Sequence, residues 1–373
     1  MAINNGSEHV VEAVAIHIED VGEPHHSEQP PTTLWSQIDE QPSGSLPLIA
    51  IVGMGMRFPG NIRTAEEFWS LLVEKRSALD EIPPGRYLGD SFYHPTRPHE
   101  IKTKHGYFLQ EEYLGKVDKD FVGKPSEAGS LDPQQRLLLE VVWECMENAG
   151  QSDWRGRDIG CFVGSFGEDW LEITSKDTQY IDRFRAMGTG DFAFANRISF
   201  EFDLKGPRCK TFDASADGYG RGEGINAIFI KPLDAAIRNG DPIRAIIRST
   251  ATNSDGRTPN ISTPDRESQE TLIRRAYSRA EISDPCQTAL FECHGTGTTI
   301  GDVTETQAVT SIFGEKGIFI GAVKPNVGHM EGASGLTSVI KAVLSLEHRQ
   351  IPPNIYFETP HPEILESEEQ MPM

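Results

Sequence analysis

Short apolar runs of strand length alternate along this chain with longer stretches of helical periodicity. Residues 48–52, 290–293 and 318–323 are apolar runs of the length of a buried strand. Residues 269–280 and 336–344 repeat apolar side chains at the spacing of one helix face. Because strands alternate with helices, the sequence predicts an α/β fold whose sheets are covered by helices.

Capping signals mark where two further helices begin. Thr64 and Glu67 match a capping box ahead of an apolar face. Asp132 followed by Pro133 matches an N-cap and a first helical position. The helix that starts there is predicted to lead into a strand at residues 160–164.

The 373 residues carry a net charge of −21, and much of it lies at the two ends. Residues 1–46 hold eight acidic residues and no Lys or Arg, and the last seventeen residues hold five acidic residues and again no Lys or Arg. We expect residues 1–46 to be a disordered acidic leader. The acidic balance argues against nucleic acid and anionic membranes as partners, because both bind basic patches.

The sequence carries no signal typical of a membrane or secreted protein. No apolar run approaches the roughly 18–20 residues that cross a bilayer, and the N-terminus lacks a basic start followed by an apolar stretch. The five cysteines are scattered at spacings that indicate neither disulfides nor a zinc site. We therefore expect a reduced, cytoplasmic protein with no bound metal.

A pair of glycines, Gly53 and Gly55, follows the first predicted strand. The dinucleotide-binding fingerprint would need its third glycine at the position of Phe58, so the match fails. A tight turn at the end of the strand is the prediction for this pair.

The segment HGTGT, residues 294–298, follows the strand predicted at residues 290–293. A histidine at the carboxyl end of a strand lies where ligands bind in α/β sheets, and glycines let the backbone come close to a ligand. Thr296 and Thr298 add two hydroxyls on the same side. From the residues alone, His294 is either a ligand-binding histidine or a structural one with satisfied hydrogen bonds.

The segment KPNVGHMEGASG, residues 324–335, places Lys324, Asn326, His329 and Glu331 within eight positions of a glycine-rich turn. A cation, an imidazole and a carboxylate that close together would shift one another's pKa. The alternative is a solvated loop at the start of a helix. The three glycines of the segment favour the functional interpretation.

None of the five cysteines lies where a thiol is normally activated, at a helix N-terminus or beside a cation at a turn. Cys145 and Cys161 fall within a predicted helix and a predicted strand. Cys293 directly precedes His294 on a strand, where adjacent side chains point to opposite faces. Cys209 lies between two cationic residues that could acidify it, although it is not expected to be catalytic.

Several long motifs occur in one order along the chain: IAIVGMGMRFPG (49–60), LDPQQRLLLEVVWE (131–144), FDASADGYGRGEG (212–224), DGRT (255–258), FECHGTGTTIGD (291–302), VKPNVGHMEGASGL (323–336) and IPPNIYFE (351–358). Together they resemble the ketosynthase, or β-ketoacyl synthase, domain of polyketide synthases. The similarity is closest to the fungal highly reducing type, and it runs from about Ile49 to Pro362.

The resemblance implies a thiolase-like α/β fold of two similar stacked halves, dimerised through an edge strand of the first half. It also implies a decarboxylative Claisen condensation in polyketide biosynthesis, a secondary-metabolite pathway. In this reaction a cysteine thiolate takes an acyl chain from the phosphopantetheine arm of an acyl carrier protein. A malonyl thioester then loses CO2, and the resulting carbanion attacks the acyl-cysteine. The arm is a substrate carrier, and no bound cofactor is implied. Thr296 and Thr298 match hydroxyls that bind this arm.

The resemblance also assigns roles to the two segments that carry histidines. His294 and His329 match the family's two active-site histidines, which donate hydrogen bonds to the thioester oxygen and so stabilise the enolate. Lys324 matches the family's active-site lysine, which would tune the local charge together with Glu331.

The chain departs from the family pattern at two places. Gly206-Pro207 runs directly into Arg208, where the family has a strand and then a Thr-Ala-Cys-Ser-Ser elbow with the nucleophile at the N-terminus of a buried helix. The gap is roughly fifty residues, and Cys209 falls beyond it. The chain also ends at Met373, before the family's Gly-Phe-Gly-Gly-Thr-Asn segment, which supplies an oxyanion donor. We therefore predict an incomplete thiolase-like fold and no condensation activity.

The expected domains are an N-terminal ketosynthase half at residues 47–250, with an internal deletion after Pro207, and a truncated C-terminal half at residues 251–373. Loss of some ten buried side chains would remove on the order of 15–30 kcal/mol of burial energy. That exceeds the roughly 5–15 kcal/mol by which a typical domain is stable. We expect marginal stability, exposed apolar surface and loss of the family's dimer edge.

Four interpretations follow from these departures. The chain is either a relic without activity, or an incompletely predicted gene product whose true sequence contains the missing segment and is active. A third possibility is a non-catalytic partner that binds a carrier protein or an intact ketosynthase. The fourth is residual malonyl decarboxylation by His294 and His329 without condensation.

Overall fold

The structure is a computed structural model. It describes residues 12–16, 48–97, 100–101, 103–110, 114, 129, 131–155, 157, 159–165, 169–176, 189, 194, 197–198, 201–202, 223–255, 258, 263–314, 316–355 and 357. The strands are β1 (Glu12–Ile16), β2 (Ile49–Arg57), β3 (Asp80–Glu81), β4 (His105–Gly106), β5 (Ile225–Pro232), β6 (Ala245–Thr252), β7 (Leu290–Glu292) and β8 (Phe319–Gly321). The helices are α1 (Ala65–Val73), α2 (Gly89–Phe92), α3 (Pro133–Asn148), α4 (Asp169–Ser175), α5 (Leu233–Asn239), α6 (Arg266–Arg279), α7 (Thr299–Phe313), α8 (Lys324–Val327) and α9 (Ser334–His348), with short 3-10 turns at Pro285–Gln287 and Glu331–Ala333.

A four-stranded sheet forms the centre of the fold, with the strand order β1-β6-β2-β5. All three pairings of this sheet are antiparallel. β2 lies against β5 from the pair Ile49↔Pro232 to the pair Arg57↔Ile225. Every residue of β2 after the first is buried. The strand is therefore covered on both faces, as an α/β core requires.

The turn predicted at Gly53 and Gly55 is wrong, because β2 continues through both glycines to Arg57. A Cβ atom on Gly53 would lie 2.4 Å from the carbonyl oxygen of Cys145, and one on Gly55 would lie 2.4 Å from that of Val141. Glycine is required at both positions because α3 packs directly against the strand.

Both predicted capping signals are confirmed. Thr64 Oγ1 accepts the Glu67 N–H at 3.2 Å, and the Glu67 carboxylate accepts the Thr64 N–H at 3.1 Å. Asp132 accepts the Gln134 N–H at 2.7 Å, and Pro133 is the first residue of α3. These caps fix where α1 and α3 begin and so which of their side chains face the core.

A smaller parallel pair, β7 with β8, lies in the C-terminal part of the chain. Helices α6 and α7 contribute to its core, in which Val309 and Phe313 are fully buried and Ile318 nearly so. Because the two strands run in the same direction, their carboxyl ends lie at the same edge. This edge positions the segments that carry His294 and His329.

Three expectations about strands need correction. Residues 159–165 form no strand, and Phe162 among them is 80% exposed; an apolar run of strand length pairs only where a neighbouring strand is available. The run at 318–323 gives only the short β8, because the chain turns into α8 directly after it. Residues 12–16 lie in the stretch expected to be disordered, and they pair with β6 as β1.

No helix in the part of the chain that the structure describes is long and apolar enough to cross a membrane. Among the same residues, no disulfide joins the cysteines. No group of three or more His, Cys, Asp or Glu side chains there is arranged to hold a metal ion.

Candidate active site

The two histidine segments leave the same edge of the β7–β8 sheet. His294 follows β7 by two residues, and Lys324 and His329 follow β8. The Cys293 N–H donates to the Gly321 carbonyl oxygen at 2.7 Å, which extends the ladder to the point where the chains diverge. The two imidazole ring centroids are 5.3 Å apart, with the ring planes at 84°. The structure thus brings together two histidines that are 35 positions apart in the sequence.

The backbone at His294 is held by one buried carboxylate. Glu305, on α7, accepts the His294 N–H at 2.6 Å and the Gly295 N–H at 2.9 Å, one with each oxygen. Gly295 has φ +48°, and a Cβ there would lie 2.5 Å from the Cβ of Ala322 on the neighbouring chain. The imidazole of His294 itself is exposed, so its backbone is fixed while its ring faces outward.

The hydroxyls of Thr296 and Thr298 lie 3.0 Å apart and form a hydrogen bond. The Gly297 N–H between them donates to Asp302 Oδ1 at 3.2 Å. A Cβ on Gly301 would lie 2.4 Å from Thr298 Oγ1. The first turn of α7 thus closes the loop, and both threonine hydroxyls end on one side of it, as the HGTGT motif predicted.

His329 is buried, and its Nδ1 atom has a defined role. Nδ1 accepts the Glu331 N–H at 3.0 Å and lies 3.1 Å from Ser334 Oγ. Because a backbone N–H can only donate, Nδ1 is the unprotonated nitrogen of the neutral ring and Nε2 carries the proton. Glu331 adopts φ +46° to make this contact, a conformation that non-glycine residues rarely take. The ring is therefore set as an N–H donor.

Helix α8 is tied to the N-terminal part of the chain. Asn326 Nδ2 donates to the Arg76 carbonyl oxygen at 3.0 Å, and the Ala78 N–H donates to the Asn326 carbonyl oxygen at 2.8 Å. The Tyr107 hydroxyl donates to the Pro325 carbonyl oxygen at 3.2 Å. Asn326, singled out in the sequence as a possible functional residue, is thus an anchor for the turn that presents Lys324.

The charge of Lys324 depends on two buried carboxyl groups. Burial lowers the pKa of Lys324, and the nearby charges of Glu292 and Glu305 oppose that effect. Burial in turn raises the pKa of each of these two carboxyls. The resemblance implied that Glu331 tunes the local charge together with Lys324. In the structure the carboxyl groups that raise the pKa of Lys324 most are those of Glu292 and Glu305. Sequence reasoning missed both, although an acidic residue in an apolar strand was a usable signal for Glu292.

The two buried thiols of the described residues, Cys293 and Cys145, are poor nucleophiles. Cys293 is buried next to the site, and burial raises its pKa well above its ordinary value. Burial also raises the pKa of Cys145 to about 12. Thiols with such pKa values are almost entirely protonated at neutral pH and therefore do not attack thioesters. Cys209 lies outside the described residues.

Comparison with protein families assigns the chain to a class. The model of the beta-ketoacyl synthase N-terminal domain matches residues 47–208, and that of the C-terminal domain matches residues 244–358. Because the two matches together cover most of the sequence, the chain belongs to the beta-ketoacyl synthase family. Within this family it is a ketosynthase domain of the polyketide-synthase type.

Individual relatives agree with this assignment. The highly reducing polyketide synthase lcsB of Purpureocillium lilacinum is 52% identical over 347 residues, which cover 85% of this chain and 14% of that protein. The highly reducing polyketide synthase gloL of Glarea lozoyensis is 49% identical over 377 residues, with 85% and 15% covered. The chain therefore spans about a seventh of the length of these relatives.

The solved structures agree on the fold. The oxazolomycin ketosynthase domain OzmH KS7 of Streptomyces albus JA3453 matches with a TM-score of 0.75 at 26% identity, covering 88% of this chain and 67% of that one. The chain thus has the thiolase-like α/β fold that its motifs implied.

The alignments also show that the relatives hold residues without a counterpart here. The alignment with gloL spans 377 positions, whereas 85% of 373 residues is about 317, so about 60 positions of that relative are unmatched. The alignment with lcsB spans 347 positions, so by the same calculation about 30 positions of that relative are unmatched. The match to the N-terminal domain model ends at residue 208, next to the junction at Pro207 where the sequence motifs place the gap.

Proposed function

We propose that this domain takes malonyl groups carried as thioesters, stabilises the enolate that forms when CO2 leaves, and does not form the carbon–carbon bond of its family's reaction. The observation that carries the proposal is the His294–His329 pair, at 5.3 Å between ring centroids, with His329 set as an N–H donor. The beta-ketoacyl synthase family and the similarity to highly reducing polyketide synthases support the choice of substrate.

The proposed step balances without a further reactant. The bond between the carboxylate carbon and Cα of the malonyl group breaks, CO2 leaves, and the electron pair moves onto the thioester oxygen as an enolate. His329 Nε2–H and the His294 ring donate hydrogen bonds to that oxygen, which lowers the energy of the developing charge. Solvent then protonates Cα and leaves an acetyl thioester. Lys324, on the turn that follows β8, favours the developing negative charge in its protonated form.

The proposed carrier is the phosphopantetheine arm of an acyl carrier protein. Thr296 and Thr298 present two hydroxyls on one side of the loop after β7, where they form a hydrogen bond with each other, and hydroxyls of this kind can accept and donate hydrogen bonds to the amides of such an arm. In the family, ketosynthases act with carrier domains and as homodimers. We propose that this chain also acts with a carrier protein. We do not extend the homodimer to it, because the edge strand through which the family dimerises falls in the segment that we propose is missing after Pro207.

The absence of condensation follows from the thiols. Condensation requires an acyl group on a thiolate, and Cys293 is buried with its pKa raised by desolvation. The motif order lacks the nucleophile elbow after Pro207, and the aligned relatives carry tens of residues that this chain does not match. Without the acyl-enzyme, the enolate has no electrophile to attack.

The test is CO2 release from malonyl acyl carrier protein, followed together with the acetyl product by mass spectrometry. We expect release above the uncatalysed rate and a loss on the order of 100-fold in His329→Ala and in His294→Ala. His105→Ala removes an exposed histidine on the short strand β4 and is the control expected to keep the rate. A β-ketoacyl product from the 373-residue chain, or release that is unchanged in both histidine variants, would contradict the proposal.

A further inference from the structure

A buried ion pair lies directly beneath the two histidine segments. Glu292, the last residue of β7, accepts the Val323 N–H with Oε1 at 2.8 Å, and its Oε2 lies 2.6 Å from Lys341 Nζ. The Lys341 side chain is 3% exposed and that of Glu292 is 9% exposed. Both charges are thus almost completely removed from water.

The position of this pair in the chain connects every part of the site. Glu292 precedes His294 by two residues, and Val323 directly precedes Lys324. Lys341 lies on α9, the helix whose first residue, Ser334, contacts His329 Nδ1. One carboxylate therefore joins the loop of His294, the turn of Lys324 and the helix behind His329.

A buried ion pair of this kind needs a reason other than stability. Taking two charges out of water costs about as much as their attraction returns, so an apolar pair of similar size is often equally stable. The contacts of Glu292 suggest the reason, because its Oε1 holds the backbone N–H of the residue directly before Lys324, and Lys324 is itself buried. A fixed negative charge at this point favours the protonated ammonium group of Lys324.

We propose that Glu292, held in place by Lys341, is the positioning residue for Lys324: it fixes the turn that carries Lys324 and supplies the negative charge beside it. The effect on catalysis rests on the proposed decarboxylation, but the effect on Lys324 does not. The charged and titratable groups that act on Lys324 include Glu292, Glu305, Cys293, Lys341 and Asp302.

The test removes both charges at once, so that neither is left buried without its partner. In Glu292→Gln/Lys341→Met, the Gln oxygen still accepts the Val323 N–H and the Met side chain replaces the lysine stem. Lysine labelled with 13C at Cε reports the pKa of Lys324 by NMR, and the signal is assigned by its loss in Lys324→Met. The pH dependence of CO2 release is measured on the same proteins.

We expect the pair variant to unfold cooperatively like the wild type, with a lower pKa of Lys324, because the charge of Glu292 raises this pKa more than the charge of Lys341 lowers it. The alkaline limb of the decarboxylation profile should move to lower pH by the same amount. Glu347→Gln is the matched control: Glu347 lies on the same helix and pairs with Arg244 away from the site, and this variant should leave the Lys324 titration and the profile unchanged.

A folded pair variant with the wild-type Lys324 pKa would overturn the inference. Should the Met-containing pair fail to fold, Glu292→Gln/Lys341→Gln removes the same charges and lets the two side chains form a hydrogen bond. A wild-type pKa of Lys324 in this second variant would likewise overturn the inference. Should the wild type release no CO2, the proposed function fails, while the Lys324 titration still tests the role of Glu292 by itself.

Discussion

His294 and His329 are positioned by different means. His294 is fixed through its backbone N–H by Glu305, and its ring is exposed. His329 is fixed through its ring, because Nδ1 accepts a backbone N–H. The tautomer of His329 is thus determined before any substrate binds, whereas the contacts of Glu305 fix the backbone of His294.

The protonation of Cys293 can be tested by alkylation. At pH 8 with iodoacetamide, Cys293 should react far more slowly than the partly exposed Cys286, because each unit of pKa above the pH removes about tenfold of the reactive thiolate and burial blocks access. Mass spectrometry of the peptides follows each thiol, and urea-unfolded protein supplies the control in which both react alike. Rapid labelling of native Cys293 would show that it is available as a nucleophile.

The two glycines of the HGTGT motif should differ in their tolerance of a side chain. Both have positive φ, but a Cβ on Gly295 would meet Ala322 Cβ at 2.5 Å, whereas one on Gly297 meets nothing within 4 Å. Gly297→Ala should cost about 1 kcal/mol through its backbone conformation. Gly295→Ala should cost about 3 kcal/mol, because a clash adds to the strain. Equal losses in urea unfolding would contradict this reading of the loop.

At the scale of single elements, the sequence predicted helices better than strands. The caps at Thr64 and Asp132 are local signals, since the side chain and the N–H that it accepts are within three residues. The strand expected at residues 160–164 depended on partners elsewhere in the chain, and no strand forms there. The requirement for glycine at position 53 could not be predicted from the sequence either, because it arises from α3 packing against β2 and not from a turn.

The cap of α3 should make stability depend on pH. Burial raises the pKa of Asp132 from 3.8 to about 6. The carboxyl thus binds its proton more tightly in the folded chain, so its contribution to stability is complete below pH 3.8 and is lost as the pH rises through about 6. This loss amounts to about 3 kcal/mol at most.

Asp132→Asn keeps the cap and removes the titration. The free energy of unfolding of the wild type should therefore fall relative to that of the variant between pH 4 and 6.5. Urea unfolding at a series of pH values measures both, and Asp265→Asn, at the N-cap of α6, controls for the loss of a capping carboxylate as such. Parallel pH profiles of wild type and Asp132→Asn would refute the raised pKa.

At the scale of the whole molecule, the sequence located the side chains that we propose to be reactive but not the groups that hold them. His294, His329 and Lys324 lie in recognisable motifs at strand ends. Glu292 and Glu305 were missed because their roles come from contacts with Val323 and with the backbone after β7, which exist only after the strands have paired. Local sequence patterns thus indicate which side chains are candidates for chemistry, whereas tertiary contacts determine their orientation and their pKa values.

The exposure of Phe162 agrees with our proposal that a segment packing against this part of the chain is missing. Phe162 belongs to an apolar segment expected to be a buried strand, yet it is 80% exposed. A phenylalanine side chain that moves from water to a core contributes about 1.5–3 kcal/mol, so this position forgoes a large stabilisation. The residues that we propose are missing after Pro207 would include strands of the same half.

Restoring the missing segment should therefore restore both packing and acyl loading. The change is an insertion between Pro207 and Arg208 of the corresponding stretch of a highly reducing relative, about fifty residues with its Thr-Ala-Cys-Ser-Ser elbow. We expect an acyl thioester to acylate the elbow cysteine of the extended chain, because a helix N-terminus stabilises the thiolate. The same insertion should protect Phe162, so that Phe162→Ser destabilises the extended chain by about 3 kcal/mol or more and the 373-residue chain hardly at all. Intact-mass spectrometry measures the acyl adduct, and an insertion with Ser in place of the elbow cysteine is the control that must not load. If the 373-residue chain took up the acyl group as readily as the extended one, a nucleophile would already be present in it, and the proposed separation of decarboxylation from condensation would be wrong.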